Sequence, residues 1–404
     1  MFTFLNNNTN ILVVTAIILG ILFGSFLPEL AMKQQFIGTA FISFLKMLVV
    51  PLVFASIYVA IAGLGTLEQL KSIGLKALSL YILTTALAVT TAILFMNIFS
   101  IGEATSTANL AYEKAATVTH VAPDQMLLSF IPTNIFNSLS NGDMMQVIVF
   151  AIFLAIASLY LEEQHQASML DFFTAISNAM LKIAEWIIAF TPFGVFSLIS
   201  YVIAKEGIGV IIDLWQYVLV VLAVLIFHAI VTLPTVFAFL TKLNPYTYLN
   251  KIKEVPLMAF STASSAATLP VSLSVSQNKG GVSKKVSSFV LPLGATVSMD
   301  GTAAYLSVAV LYIATLAGVQ LDLYQQIMLG ITVVALSVGV AALPSASLVM
   351  MVVILHQLKL PVEYLAIIVA VDRILDMART SLNVTSDMFV AKMVDELSSE
   401  KKTT

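Results

Sequence analysis

Apolar runs of membrane-spanning length set the frame for this chain. They occur at about Ile11–Leu27, Phe36–Gly63, Ile73–Ile98, Met126–Leu161 (interrupted), Leu170–Ile203 and Trp215–Leu240. A hydrocarbon core about 30 Å thick takes about 20 apolar residues per helix, so each run is a candidate span. Only 10% of the 404 residues are charged and 59% are apolar, against about 25% charged in a soluble globular protein. The chain therefore reads as an all-α polytopic membrane protein. A net charge of −3 leaves no basic footprint for nucleic acid. With no Cys, disulfides, thiol catalysis and thiolate metal sites are excluded. The apolar run Ile11–Phe23 has no Lys or Arg before it and no small-residue cleavage site. It reads as a first membrane helix and not as a signal peptide.

The stretch Val369–Asp387, V-A-V-D-R-I-L-D-M-A-R-T-S-L-N-V-T-S-D, has membrane length but unusual charge. At 100° per residue, Asp372, Asp376, Arg379, Asn383 and Asp387 fall within an arc of roughly 80°. Each central Asp or Arg facing lipid costs about 2.5 to 3.5 kcal/mol, so this stripe faces protein, water or bound ions. One reading is a self-satisfied salt-bridge network, or a helix end emerging into cytoplasm. The other is a site for a cationic group, metal ions and, against Arg379, an anionic group. Three Asp against one Arg on the stripe favour the second.

The half after Lys242 is broken by small and polar clusters: S-T-A-S-S-A-A-T-L-P (261–270), S-M-D-G-T (298–302) and G-V-A-A-L-P-S-A-S (339–347). Broken helices at membrane depth are tolerated only where they line a cavity. The pattern repeats: a small-residue tip with Pro270 precedes the helix interrupted at Ser298–Thr302, and a tip with Pro344 precedes the helix carrying Asp372 to Asp387. Such paired interruptions mark the binding site of secondary transporters. Lys242, Lys251 and Lys253 before the first tip, Lys279, Lys284 and Lys285 after it, and Lys392, Lys401 and Lys402 near the end place these stretches and the C-terminus in the cytoplasm. The segment from Ser100 to Gln125, with Lys114 against Glu103, Glu113 and Asp124, suits an external loop. With lysines on one side at both ends, about 25 residues around the first tip must enter and return as a re-entrant hairpin.

Taken together, S-S-A-A-T-L-P, L-P-L-G-A-T-V-S-M-D-G-T, the Pro344 tip and D-M-A-R-T-S-L-N-V-T-S-D resemble the glutamate transporter homologues, the dicarboxylate/amino acid:cation symporters, most closely the prokaryotic aspartate/glutamate type. The resemblance covers the chain from the second helix onward. It implies eight transmembrane helices plus two re-entrant hairpins built as inverted repeats, in a homotrimer of the inner membrane with cytoplasmic termini. Residues 1–72 would supply scaffold helices 1–2, 73–99 transport-domain helix 3, and 100–214 the external loop and scaffold helices 4–5. Residues 215–404 would form the rest of the transport domain, with hairpins at about 251–280 and 325–357, carrying substrate by an elevator motion.

By the same resemblance, Ser264 and Ser265 bind the α-carboxylate of an amino acid, Asp376 takes its ammonium, and Arg379 grips its side-chain carboxylate. Thr302, Thr380 and Asn383 complete the pocket, under a gate from Val340 to Pro344. Sodium, with oxygen ligands, would occupy Asp387, Asn383 and the Gly294 carbonyl. A second site joins Thr296 to carbonyls of Ser337, Val338 and Val340. A third joins Asp300 to Tyr81, Thr84 and Thr85, residues that read equally as a helix-packing face. Ser298 stands where relatives have Asn, beside two of these sites. Ala263 replaces an Arg of some microbial members, Met377 occupies the place of a second Arg in animal members, and Leu306 replaces an acid that proton-carrying animal relatives use. Arg373, absent from plain aspartate carriers, either pairs with Asp376 or Asp372 or snorkels.

Two other functions fit less well. An intramembrane aspartyl protease needs a G-x-G-D motif, which is missing, and the four His (120, 165, 228, 356) offer the Ser clusters no base. His228, in an apolar helix, reads as a hydrogen-bonded structural residue. A channel needs rings of like groups and not a mixed Asp/Arg/Ser pocket. Neutral amino acids would not need Arg379, and plain dicarboxylates would be repelled by Asp376, so the expected substrate is aspartate or glutamate. Coupling to sodium is expected; the alternative is a proton-coupled symporter of an acidic amino acid or a C4-dicarboxylate, with protons on Asp300 and Asp387.

Overall fold

The computed structural model describes residues 2–63, 73–99, 101, 130–207, 214–337 and 347–399. Every regular element among them is helical. The first group comprises α1 (Phe2–Phe26), α2 (Pro28–Lys33), α3 (Gln35–Ala62), α4 (Leu75–Phe99), α5 (Ile135–Asn141), α6 (Met144–Ser158), α7 (Glu163–Ala189) and α8 (Thr191–Glu206). In it α1 packs on α8, and α3 on α6 and α7. The run Leu170–Ile203 is not one helix: α7 stops at Ala189, and Pro192, which lacks an N–H, sits in the first turn of α8 where none is needed. The expected external loop lies outside the described residues, apart from Ile101.

The second group begins with α9 (Leu214–Phe227), a π-helical turn (His228–Thr232) and α10 (Leu233–Thr241). Pro234 offers no N–H to the Ile230 carbonyl four residues back, and the Tyr246 hydroxyl donates to that carbonyl instead, at 3.0 Å. His228, at the start of the bulge, is wholly buried. Then come α11 (Pro245–Ile252), α12 (Glu254–Thr262), α13 (Ser265–Asn278), α14 (Lys284–Val297), α15 (Asp300–Leu316), α16 (Leu323–Ser337), α17 (Ser347–Gln357) and α18 (Leu365–Ser399).

Helices α12 and α13 form a hairpin. Its tip turns at Ala263, in the left-handed region at φ 48°, and Ser264 is extended and caps α13 by accepting from the Ala267 N–H at 3.3 Å. Lys279 pairs with Glu254 at 2.5 Å, which closes the open end. That end is also tied to α18: Asp395 accepts from the Ser283 hydroxyl at 2.6 Å, and Lys392 donates to the Gly281 carbonyl at 2.8 Å. The second expected tip, with Val338, Val340 and Pro344, lies outside the described residues.

Four helical stretches among the described residues are long and apolar enough to cross a membrane: Pro28–Ala62, Leu75–Phe99, Leu214–Thr241 and Lys284–Leu316. In the last, the α15 half is almost wholly buried, with α4, α9 and α18 packed around it. The same stretch also holds the expected break, for Ser298 is extended, Met299 is non-helical, and the two separate α14 from α15. Met299 gives α15 no side-chain cap. The Asn383 carbonyl oxygen, projecting from α18, accepts from the Gly301 N–H at 2.8 Å and from the Thr302 N–H at 3.4 Å. A helix start that is orphaned locally is thus capped across the core.

Candidate functional site

The polar stripe of α18 is buried, and it divides into separate groups. In the first, Arg379, 1% exposed, places Nη2 at 2.7 Å from Asp376 Oδ1 and 3.1 Å from Asp372 Oδ1, and donates from Nη1 to the Ser347 hydroxyl at 2.7 Å. Its guanidinium lies 3.8 Å from the Tyr305 ring centroid, and the Tyr305 hydroxyl donates to Asp372 Oδ1 at 2.8 Å. Arg379 Nε and Asp372 Oδ2 are buried without hydrogen-bond partners. A base held this way by two acids and an aromatic face keeps its charge and its fork, the geometry that recognises a carboxylate. Arg373 approaches Asp376 Oδ2 at 3.8 Å, so this acid stands between two bases.

The second group surrounds Asp300, which is fully buried. Its Oδ1 accepts from Thr85 at 2.6 Å and Thr84 at 3.3 Å, and its Oδ2 accepts from Ser386 at 2.6 Å and lies 3.4 Å from His228 Nε2. The break before α15 brings this acid to α4, and the π turn brings His228 to the same acid.

The third group lies where α4, α14 and α18 meet. A methyl added to Gly294 would collide with Asp387 Oδ1 and the Tyr81 hydroxyl. Any larger residue here would have to push aside two polar groups that reach its backbone from different helices. Tyr81 donates to the Val290 carbonyl at 2.9 Å, while Asp387 Oδ1 and the Ser298 hydroxyl are buried without hydrogen-bond partners. Orphaned oxygens of this kind suit a hard cation with oxygen ligands. Among the described residues no three of Asp, Glu or His converge as a metal centre, so the oxygens on offer are one carboxylate with hydroxyls and carbonyls.

The other expected residues are placed as follows. Asn383 uses its carbonyl oxygen on the α15 backbone and donates from its amide to the Thr302 hydroxyl at 3.2 Å. Thr302 and Thr380 are buried. Ser264 and Ser265 sit at the hairpin tip, and α12 is held to α18 by the Ser381 hydroxyl, which donates to the Pro256 carbonyl at 2.9 Å. Thr296 is exposed and donates to its own helix at Leu293. Ser337 ends α16 beside residues 338–346, so a Thr296 site with Ser337, Val338 and Val340 is not assembled from the described residues.

Sequence reasoning missed several partners, Ser347 of Arg379 among them. Ser386 lies at the edge of the α18 polar arc, and Tyr305 lies one turn beyond Thr302; both were legible as helical neighbours of chosen residues. The pairing of Asp372 with Tyr305 needed the α15–α18 packing, whereas Asp372 and Arg379 lie two turns apart on one arc of α18. His228 is hydrogen-bonded, as expected for a buried His, but only the π turn shows its partner to be Asp300.

Among the described residues, apolar helices long enough to cross a membrane enclose buried acids and a buried base, an arrangement suited to a membrane transport protein. A family model described as the sodium:dicarboxylate symporter family matches residues 10–397. The chain is 33% identical over 385 residues to a proton/sodium-glutamate symport protein of Geobacillus stearothermophilus, covering 93% of this chain and 91% of that one. It is 33% identical over 396 residues to a proton/glutamate-aspartate symporter of Escherichia coli (strain K12), covering 94% and 90%. It is also 31% identical over 460 residues to excitatory amino acid transporter 3 of Bos taurus, covering 98% and 87%. This chain belongs to the sodium:dicarboxylate symporter family and is a multi-pass membrane transporter.

Where an alkali cation raises the thermal midpoint of the purified protein, Gly294→Ala, which displaces Asp387 or Tyr81, is expected to reduce that rise by half or more. A cation response equal to that of the unaltered chain would separate Asp387 from cation binding.

Proposed function

We propose that this chain imports an acidic amino acid, aspartate or glutamate, in symport with sodium. The observation that carries the reading is that Arg379 and Asp376 lie side by side in one buried cluster. A ligand with a carboxylate and an ammonium satisfies both without leaving either charge unpaired. Relatives named for glutamate and aspartate symport support it. In this reading Arg379 holds the side-chain carboxylate, Asp376 the ammonium, and the tip at Ser264 and Ser265 the α-carboxylate, with Thr302, Thr380 and Asn383 in the wall and Val340 to Pro344 as the gate.

Sodium rides at Asp387 with Ser298, Asn383 and the Gly294 carbonyl, at Asp300 with Tyr81, Thr84 and Thr85, and at Thr296 with Ser337, Val338 and Val340. The α12–α13 hairpin is re-entrant, and so is the pair formed by α16 and α17. Together with α4, α9–α10, α14–α15 and α18 they move as an elevator against the remaining helices of a homotrimer in the inner membrane, both termini in the cytoplasm. Each net positive charge moved inward gains about 2.3 kcal/mol per 100 mV, so two would sustain roughly 10³-fold accumulation.

Proton coupling is the second reading, and one observation favours it. Asp300 is fully buried, and His228, a titratable neighbour, lies 3.4 Å from its Oδ2, in place to pass a proton to the acid. Uptake of labelled aspartate into proteoliposomes, with sodium and proton gradients imposed separately, tests both. Uptake that requires sodium and persists at equal pH is expected. Uptake driven by a proton gradient without sodium would replace sodium by protons, and no uptake under either gradient would overturn the substrate class.

Asp376→Ser is expected to abolish aspartate uptake while sparing recognition of succinate-like dicarboxylates. Loss of one partner from a buried pair typically costs about 3–5 kcal/mol, more than a hundredfold in affinity. Unchanged apparent affinity for aspartate would remove Asp376 from the ammonium site. Arg379→Thr is expected to shift preference from aspartate toward serine, because only the acidic ligand then buries an unpaired carboxylate. Competition between the two amino acids measures the ratio.

A further inference from the structure

Asp376 has two cationic partners within the chain, and they are held very differently. Arg379 reaches Oδ1 and is fixed by Asp372, Ser347 and the Tyr305 ring. Arg373 reaches Oδ2 from one turn earlier on α18, at 3.8 Å, with a side chain 35% exposed and an Nε that makes no hydrogen bond. A partly exposed ion pair at this distance is weaker than the 2.7 Å contact of Arg379, and the long side chain can turn away from it at little cost. Arg373 therefore neutralises the outer face of Asp376 without being locked to it.

We infer that Arg373 is a specificity-determining residue, a tethered guanidinium that competes with a ligand's ammonium group for Asp376. This rests on the reading of Asp376 as the ammonium site. Two cations at one carboxylate repel each other, so Arg373 weakens binding of ligands that carry an ammonium. For a dicarboxylate of the same length without an ammonium, the effect has the opposite sign. Arg373 then shields the ligand from the negative charge of Asp376 and strengthens its binding. The residue narrows the gap between the two ligand classes, and it does so from a position where it touches Asp376 and not the Arg379 fork.

Opposite signs for two ligands separate this role from a structural one, which would move both affinities together. Binding of aspartate and succinate to the purified full chain measures it. In Arg373→Gln, aspartate is expected to bind roughly threefold tighter and succinate roughly threefold weaker, moving their ratio about tenfold, the scale of one exposed ion pair. Arg373→Lys, which keeps the charge, is expected to stay within about twofold of the starting ratio.

Because the chain has no Cys, Arg373→Cys gives a single thiol that can be modified on the folded protein with a cationic or a neutral methanethiosulfonate reagent. The cationic adduct is expected to return the ratio toward its original value and the neutral adduct to leave it shifted. Shifts of the same sign for both ligands, a ratio that moves less than about twofold, or equal ratios for the two adducts would overturn the inference. Failure of the unaltered chain to bind aspartate would instead overturn the functional reading beneath it.

Discussion

A guanidinium buried in a helical bundle of this apolarity must be paired, and the second half of the chain is arranged around that requirement. Arg379 is held by Asp376 and Asp372, and Asp372 is held in turn by the Tyr305 hydroxyl. Removing one member of such a set would strand the others in a low-dielectric interior. The set therefore needs α15 close against α18, which places Asn383 over the start of α15. One charge cluster and one cap hold the two polar helices in register.

The break at Ser298 and Met299 is the second device. A continuous helix from Lys284 to Leu316 would keep its own backbone hydrogen bonds and would carry Asp300 at an ordinary helical position. The non-helical pair instead starts a new helix at Asp300, whose unsatisfied N–H groups are met by Asn383, while Asp300 itself is met by Thr84, Thr85, Ser386 and His228. The π turn at His228–Thr232 does the same on the neighbouring helix. The irregular backbone of this half lies where polar side chains from other helices replace the lost local bonds.

Two kinds of electrostatic environment follow. Around Asp300 the protein supplies nearly every partner itself, whereas Asp387 and Ser298 keep buried oxygens without hydrogen bonds beside Gly294. Around Asp376 the balance is intermediate, with one base locked and another held loosely. An acid that already has mobile and fixed partners exchanges them at lower cost than one that must be stripped from a single strong pair. Such an exchange suits a carrier that must release what it binds.

The sequence by itself determined the class: membrane-length apolar runs, the two interrupted segments and the spacing of Asp372, Asp376, Arg379, Asn383 and Asp387 on one helical arc. Helical periodicity and the cost of charge in hydrocarbon are local rules, so these features were legible without a fold. The split of Leu170–Ile203 at Thr191-Pro192 was also written in the chain, though the apolar run concealed it. The tertiary structure decided which partners each polar group has. Asp300 meets His228 across 72 positions and Thr85 across 215, and the Asn383 side-chain oxygen accepts from the start of α15. Arg373 turns to Asp376 and not to its neighbour Asp372. Such pairings depend on how helices distant in sequence pack and where their backbones break, and periodicity along one helix carries no information about either.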